Sequence, residues 1–208
     1  MKIRVAILIS GRGSNMQALV EAANAQDFPA EIALVLSNNP DAAGLDFAQA
    51  QGIATAVVDH RAYKKDRESF ERAMNAELDQ VGVELVCLAG FMRLLTPWFI
   101  DQWFNRLINI HPSLLPAFKG LNTHERALEA GVKLHGCTVH FVRPDMDVGP
   151  IIAQETVAVL DDDTPDTLGS RVLTAEHTIY PHALKQIVLG LNGGWTIRNE
   201  RVIGVTQL

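Results

Sequence analysis

The chain has 208 residues, 48% of them hydrophobic and 20% charged, with a formal net charge of −6. That length suits one large domain with a sizeable core, and the composition is that of a soluble globular protein. The acidic balance argues against a nucleic-acid surface, because neutralising phosphates takes clustered Lys and Arg, and the run Arg61, Lys64, Lys65 and Arg67 is broken by acids.

The opening MKIRVAILISGRGSN passes from a short apolar run straight into glycines, so it reads as a first strand and not as a signal peptide. Residues 3 to 9, IRVAILI, have no polar face, the pattern of a central parallel strand. SNMQALVEAANA follows with helical spacing, Met16, Leu19 and Val20 on one face and Ser14 placed to cap it. The alternation repeats: strand EIALVLS, helix AAGLDFAQAQG closed by Gly52, strand IATAVVD, helix DRESFERAMNAELDQVG, strand ELVCLAG. Such alternation implies βαβ units and an α/β fold, a doubly wound, mostly parallel sheet flanked by helices, with ligands at the carboxyl ends of the strands. LINIH is a further strand, ended by Pro112. Then come a capped helix THERALEAG, strands CTVHFVRP and PIIAQETVAVL around the turn-rich DMDVGP, and a long helix from Thr164-Pro165 to about Gly190. Pro181 predicts a kink near Tyr180, and GWTIRNERVIG reads as a small terminal hairpin. No repeat or linker interrupts this, and no apolar run approaches the ~20 residues that cross a bilayer. Cys87 and Cys137 sit far apart in apolar runs, which suits buried, reduced thiols in the cytoplasm.

Four features point to chemistry. SGRGSN joins the first strand to the first helix, where glycines and open helical N–H groups suit an anion. The position where a dinucleotide fingerprint wants a third glycine is Met16, which favours a single phosphate group over NAD; a ligand-free tight turn is the alternative. AGFMRLLTPWF follows a strand, so Met92, Leu94, Leu95, Trp98 and Phe99 form either plain core or the wall of a pocket for a flat aromatic ligand beside Arg93. Asn109 and His111 are two apart at a strand end and project to the same side. Asp145 and Asp147 are either solvated turn residues or, if the strand holding His140 pairs beside the one holding Asn109, Asp147 folds over the histidine and completes an Asn, His, Asp group suited to acyl transfer. His111, His124, His135 and His140 lack the spacing and cysteine partners of a zinc site, so no metal is expected.

These motifs, ISGRGSNMQAL, SNNPDAAGL, LAGFMRLLTPWF, INIHPSLLPAFKGLNTHERAL, HGCTVHFV, DVGPIIAQ and AEHTIYP, run nearly end to end in an order and spacing that resembles the formyltransferases using 10-formyltetrahydrofolate. Within that family the likeness is greatest to members that act on glycinamide ribonucleotide. The resemblance implies transfer of the formyl group of 10-formyltetrahydrofolate to the amine of glycinamide ribonucleotide, giving formylglycinamide ribonucleotide and tetrahydrofolate in de novo purine synthesis. It implies catalytic roles for Asn109, His111 and Asp147. Gly13, Ser14 and Asn15 would take the substrate phosphate and Glu176 its ribose. Met92, Arg93, Leu94 and Leu95, with Asn109, would hold the folate, and Arg67 would lie near its glutamate tail. Leu173 stands where relatives often carry a polar residue. The expected division is a single formyltransferase domain over 1–208, with a phosphate-binding half over 1–100 and a folate and catalytic half over 101–208. The expected partners are the two small molecules, with neither nucleic acid nor membrane, in a cytoplasmic monomer or homodimer.

Two relatives share the catalytic trio. A formyltetrahydrofolate deformylase usually carries an extra amino-terminal domain and a methionyl-tRNA formyltransferase a carboxyl-terminal tRNA-binding domain, and neither extension is read here. A non-catalytic nucleotide-binding module would use the glycine loop alone and leave the trio unexplained.

Overall fold

An apolar strand with no polar face belongs inside a sheet that is covered on both faces, with ladder partners on both edges. Ile3–Ile9 (β1) has them, pairing in parallel with Ala30–Ser37 (β2) and with Leu85–Leu88 (β4), and Val5 to Ile9 are fully buried. β2 pairs in parallel with the short strand Thr55–Val57 (β3), Val35 lying opposite Thr55. The computed structural model describes residues 2–191, 194–198 and 200–204. The class is α/β, a seven-stranded, mostly parallel sheet with helices between the strands, as the alternation in the sequence implies. Two compact units divide the chain, Met1–Ile108 and Asn109–Leu208.

In the first unit the strands are linked through Ser14–Ala23 (α1), Ala43–Ala50 (α2) and Arg67–Gln80 (α3), with Pro97–Gln102 (α4) after β4. Asp66 caps α3 by accepting the Ser69 N–H at 3.0 Å. The start of α1 differs from expectation. Ser14 is already helical, and the N-cap is Gly13, left-handed at φ 71° with no side-chain cap. The turn out of β1 demands a positive φ, and glycine meets that demand where serine would be strained.

Leu107–His111 (β5) runs from the last residues of the first unit into the second and ends at His111, where Pro112 supplies no N–H. Thr123–Glu129 (α5) starts from left-handed Asn122 without the side-chain cap that was expected. Leu134–Phe141 (β6) and Ile151–Ala158 (β7) are antiparallel neighbours. Gly149, in the turn between them, is required: a Cβ there would lie 1.7 Å from the Phe141 carbonyl oxygen. Pro165–Gly190 (α6) opens with a capping box between Thr164 and Thr167 and continues through Pro181 as one helix. Its buried stripe, Leu168, Val172, Glu176, Ile179, Ala183 and Ile187, packs on β6 and β7. Thr196–Arg198 (β8) and Arg201–Ile203 (β9) form the expected hairpin, whose Asn199 lies outside the described residues. Cys87 and Cys137 are buried and joined in no disulfide, and burial pushes the Cys137 thiol up to about 12. Among the described residues no helix is long and apolar enough to cross a membrane.

Candidate active site

The residues singled out in the sequence fall in both units. Gly13, Ser14, Asn15, Arg67 and Met92 to Leu95 belong to the first, and Asn109, His111, Asp147 and Glu176 to the second.

In the first unit the glycine loop makes a cradle. Residues 10–15, with Ala89, Gly90 and Met92, line a cavity of about 230 Å³. The earliest ladder bond of α1 runs from the Gln17 N–H to the Gly13 carbonyl at 2.9 Å, so the N–H groups of the preceding turn lie outside the helical ladder. Together with the positive end of the helix dipole, this suits a phosphate-sized anion. Gly44 supports the loop from α2, its N–H donating to the Gly11 carbonyl at 3.1 Å. The neighbouring segment divides: Met92 is 66% and Leu94 61% exposed, Arg93, Leu95 and Trp98 are half-buried, and Phe99 is fully buried in the core. Arg67 is exposed on the first turn of α3.

In the second unit Asn109, His111 and Asp147 do come together. His111 is buried, and its Nδ1 faces Asp147 Oδ2 at 3.5 Å. Its Nε2 lies 3.0 Å from the Phe118 carbonyl, which only accepts, so Nε2 carries the proton there. Both ring nitrogens therefore face oxygen atoms. Asp147 has φ 54°, a conformation that aspartate tolerates better than most residues, and its Oδ2 also accepts the Gly120 N–H at 2.9 Å. Asp145 stays exposed in the same turn.

His140 completes the group: its strand lies beside that of Asn109, as the sequence suggests, but nothing in the sequence marks it as the residue that holds the Asn109 amide. Its Nδ1 donates to the Phe141 carbonyl at 3.0 Å, which leaves Nε2 as an acceptor for the Asn109 Nδ2–H at 3.2 Å. Asp147 Oδ1 lies 3.9 Å from that same Nε2. Burial holds His140 below the ordinary imidazole range, against the opposing pull of its carbonyl bond and Asp147. A neutral His140 thus orients the Asn109 amide and leaves its second N–H for another oxygen. The register of β6 on β7 shifts between Val139 and His140, and such an irregularity re-aims the side chain that follows it.

The loop after His111 is held by the Ser113 hydroxyl, which donates to the Ala117 carbonyl at 2.7 Å, and by the hydroxyl of Thr138. Thr138 Oγ1 donates to the Ser113 carbonyl at 2.6 Å and accepts the Leu115 N–H and the Gln154 side-chain N–H, each at 3.0 Å. Nearby, His135 is held down to about 4 by burial first and then by neighbouring His124, whose Nδ1 lies 3.3 Å from its Nε2. Glu176 is buried on α6, close enough to Cys137 to raise its thiol further, and Leu173 is half-buried one turn earlier.

An anion cradle at a helix start and an Asn, His, Asp group on an α/β scaffold are the parts of a group-transfer enzyme. The family model described as Formyl transferase matches residues 3–184, and the chain belongs to that family. It is 50% identical over 189 residues to the Homo sapiens protein named trifunctional purine biosynthetic protein adenosine-3, covering 91% of this chain. The chain spans only 19% of that relative's length. It is 44% identical over 179 residues to phosphoribosylglycinamide formyltransferase of Escherichia coli (strain K12), covering 86% of this chain and 84% of that one. Among solved structures, glycinamide ribonucleotide transformylase 1 from Symbiobacterium toebii superposes with a TM-score of 0.93 at 43% identity, covering 99% of this chain and 95% of that one.

Proposed function

We propose that this protein transfers the formyl group of 10-formyltetrahydrofolate to the primary amine of glycinamide ribonucleotide, releasing tetrahydrofolate, as a step of de novo purine synthesis. The observation that carries the reading is the joined pair of contacts Asn109–His140 and His111–Asp147. A nucleotide-binding module has no use for either.

In this reading the amine lone pair attacks the formyl carbon and the carbonyl electron pair moves onto oxygen. Asn109 gives that oxygen its second amide N–H, and His111 turns its Nε2–H to it from the Phe118 carbonyl. Asp147 balances the charge on the ring and takes part in moving the amine proton to the folate nitrogen as the carbon–nitrogen bond to folate breaks. The backbone around Gly13, Ser14 and Asn15 binds the phosphate, and Glu176 the ribose. Met92, Arg93, Leu94 and Leu95 hold the pterin side of the donor, with Asn109, and Arg67 meets its glutamate tail. Leu173 contributes no polar contact. The protein works on these two small molecules in the cytoplasm, as a monomer or homodimer.

The test is to mix the protein with both substrates and follow tetrahydrofolate formation. Turnover that needs the ribonucleotide supports the reading. Turnover without it identifies a deformylase, and binding of the ribonucleotide with no turnover in either mixture identifies a binding module.

A further inference from the structure

The segment Met92 to Leu95, whose Met92 and Leu94 are exposed, is gripped at both of its ends. At the first, the Met92 N–H donates to Ser10 Oγ at 2.8 Å, and that hydroxyl in turn donates to Asn38 Oδ1 at 2.5 Å. At the second, Thr96 donates both its N–H, at 2.7 Å, and its hydroxyl to the Glu71 carboxylate. Thr96 is the N-cap of α4, and Glu71 is 1% exposed on α3. The grip continues along α3, with the Arg72 guanidinium 4.3 Å over the Trp98 ring and Asn75 accepting the Trp103 indole N–H at 2.9 Å. Burial pushes the Glu71 carboxyl upward, its hydrogen bonds to Thr96 pulling the other way. A carboxylate placed there costs the fold stability that an apolar side chain would not.

We propose that Glu71 is a positioning residue for the folate donor, pinning Thr96 while Ser10 pins Met92 so that the apolar wall between them is set before the donor arrives. This rests on the reading of that wall as the donor site. A wall ordered in advance spares the ligand the entropy of ordering it, so the benefit falls on donor binding. Glu71 lies one helical turn from Arg67, so the helix that pins the wall also carries the cation expected at the donor's tail.

The test uses the full chain, with tetrahydrofolate as binding probe and both substrates at steady state. Glu71→Met keeps the buried volume and removes both acceptors. It is expected to raise the tetrahydrofolate Kd and the donor KM about tenfold, with kcat and the ribonucleotide KM within about twofold. Glu71→Gln retains an acceptor for the Thr96 N–H and should keep the Kd within about threefold. A folded Glu71→Met protein with unchanged Kd, an equal rise in both KM values, or a Glu71→Gln protein as impaired as Glu71→Met would each overturn the proposal. Should Glu71→Met not fold, Thr96→Val removes only the hydroxyl donor: an approximately threefold rise in Kd supports the proposal and no rise overturns it. Leu95→Asp separates the two layers of the argument by placing an unpaired charge in the wall. If it leaves the Kd unchanged, the wall is not the donor site and both readings fall. If it weakens binding while the Glu71 and Thr96 variants do not, the pinning role alone is wrong.

Discussion

Replacing Asp147 by asparagine tests the catalytic group with little change of shape. The asparagine oxygen can still accept the Gly120 N–H, so the turn that presents the residue keeps its 2.9 Å anchor. What disappears is the charge 3.5 Å from His111 Nδ1. Against a positive charge on the ring at that separation, an effective dielectric constant near 20 gives a gross attraction of roughly 5 kcal/mol. Only the part of it gained in the transition state affects the rate. The expected loss in kcat is therefore about a hundredfold to a thousandfold, the size seen when an oxyanion contact is removed, with modest change in either KM. The assay is steady-state tetrahydrofolate formation with both substrates saturating, alongside thermal denaturation to establish that the variant is folded. A folded Asp147→Asn protein with kcat within about threefold of the parent would rule out this role, because neither the charge beside the ring nor the proton path through it would then be needed.

Asn109→Ala and His111→Ala should each lower kcat by about a hundredfold to a thousandfold. Their double variant should be far less impaired than the product of the two losses, and a fully multiplicative loss would show that they act independently. Gly13→Val forces a β-branched residue to φ 71° with its Cβ 2.9 Å from Met16 Cε, so the ribonucleotide KM should rise at least tenfold while tetrahydrofolate binding is kept; equal damage to both would remove the loop as the phosphate site. His135 is held at about 4 by burial, so the unfolded chain takes up its proton first as the pH falls. Its contribution to stability is complete above the ordinary value of 6.5 and is lost as the pH falls toward 4, about 2 kcal/mol of it by pH 5. Urea denaturation at pH 7.5 and pH 5 measures the loss; His135→Gln should shrink it, and an equal loss in that variant would assign it to other groups.

The parts of this molecule that were legible in its sequence are those written in local patterns. Strand β1 shows as an apolar run because its side chains are buried on both faces of the sheet, and α6 shows as a stripe because it packs along one face. Asn109 and His111 were visible for the same reason, since a two-residue spacing at a strand end places them together whatever lies opposite. Pairings between distant segments were not legible. That His140 holds the Asn109 amide depends on where β6 shifts register, and nothing in HGCTVHFV marks that point. The Thr138 hydroxyl and the Glu71 carboxylate each meet groups more than 20 residues away, so composition alone makes one an ordinary strand residue and the other an ordinary helix surface acid. The segment after β4 was ambiguous for a related reason: apolar side chains read as core until the backbone shows Met92 and Leu94 facing solvent. At the start of α1 two local rules competed, a serine cap against a left-handed glycine, and the backbone chose the glycine because the turn out of β1 had to be made first. The same choice leaves the first turn of that helix without a side-chain cap, and an uncapped helix start is what an incoming phosphate requires.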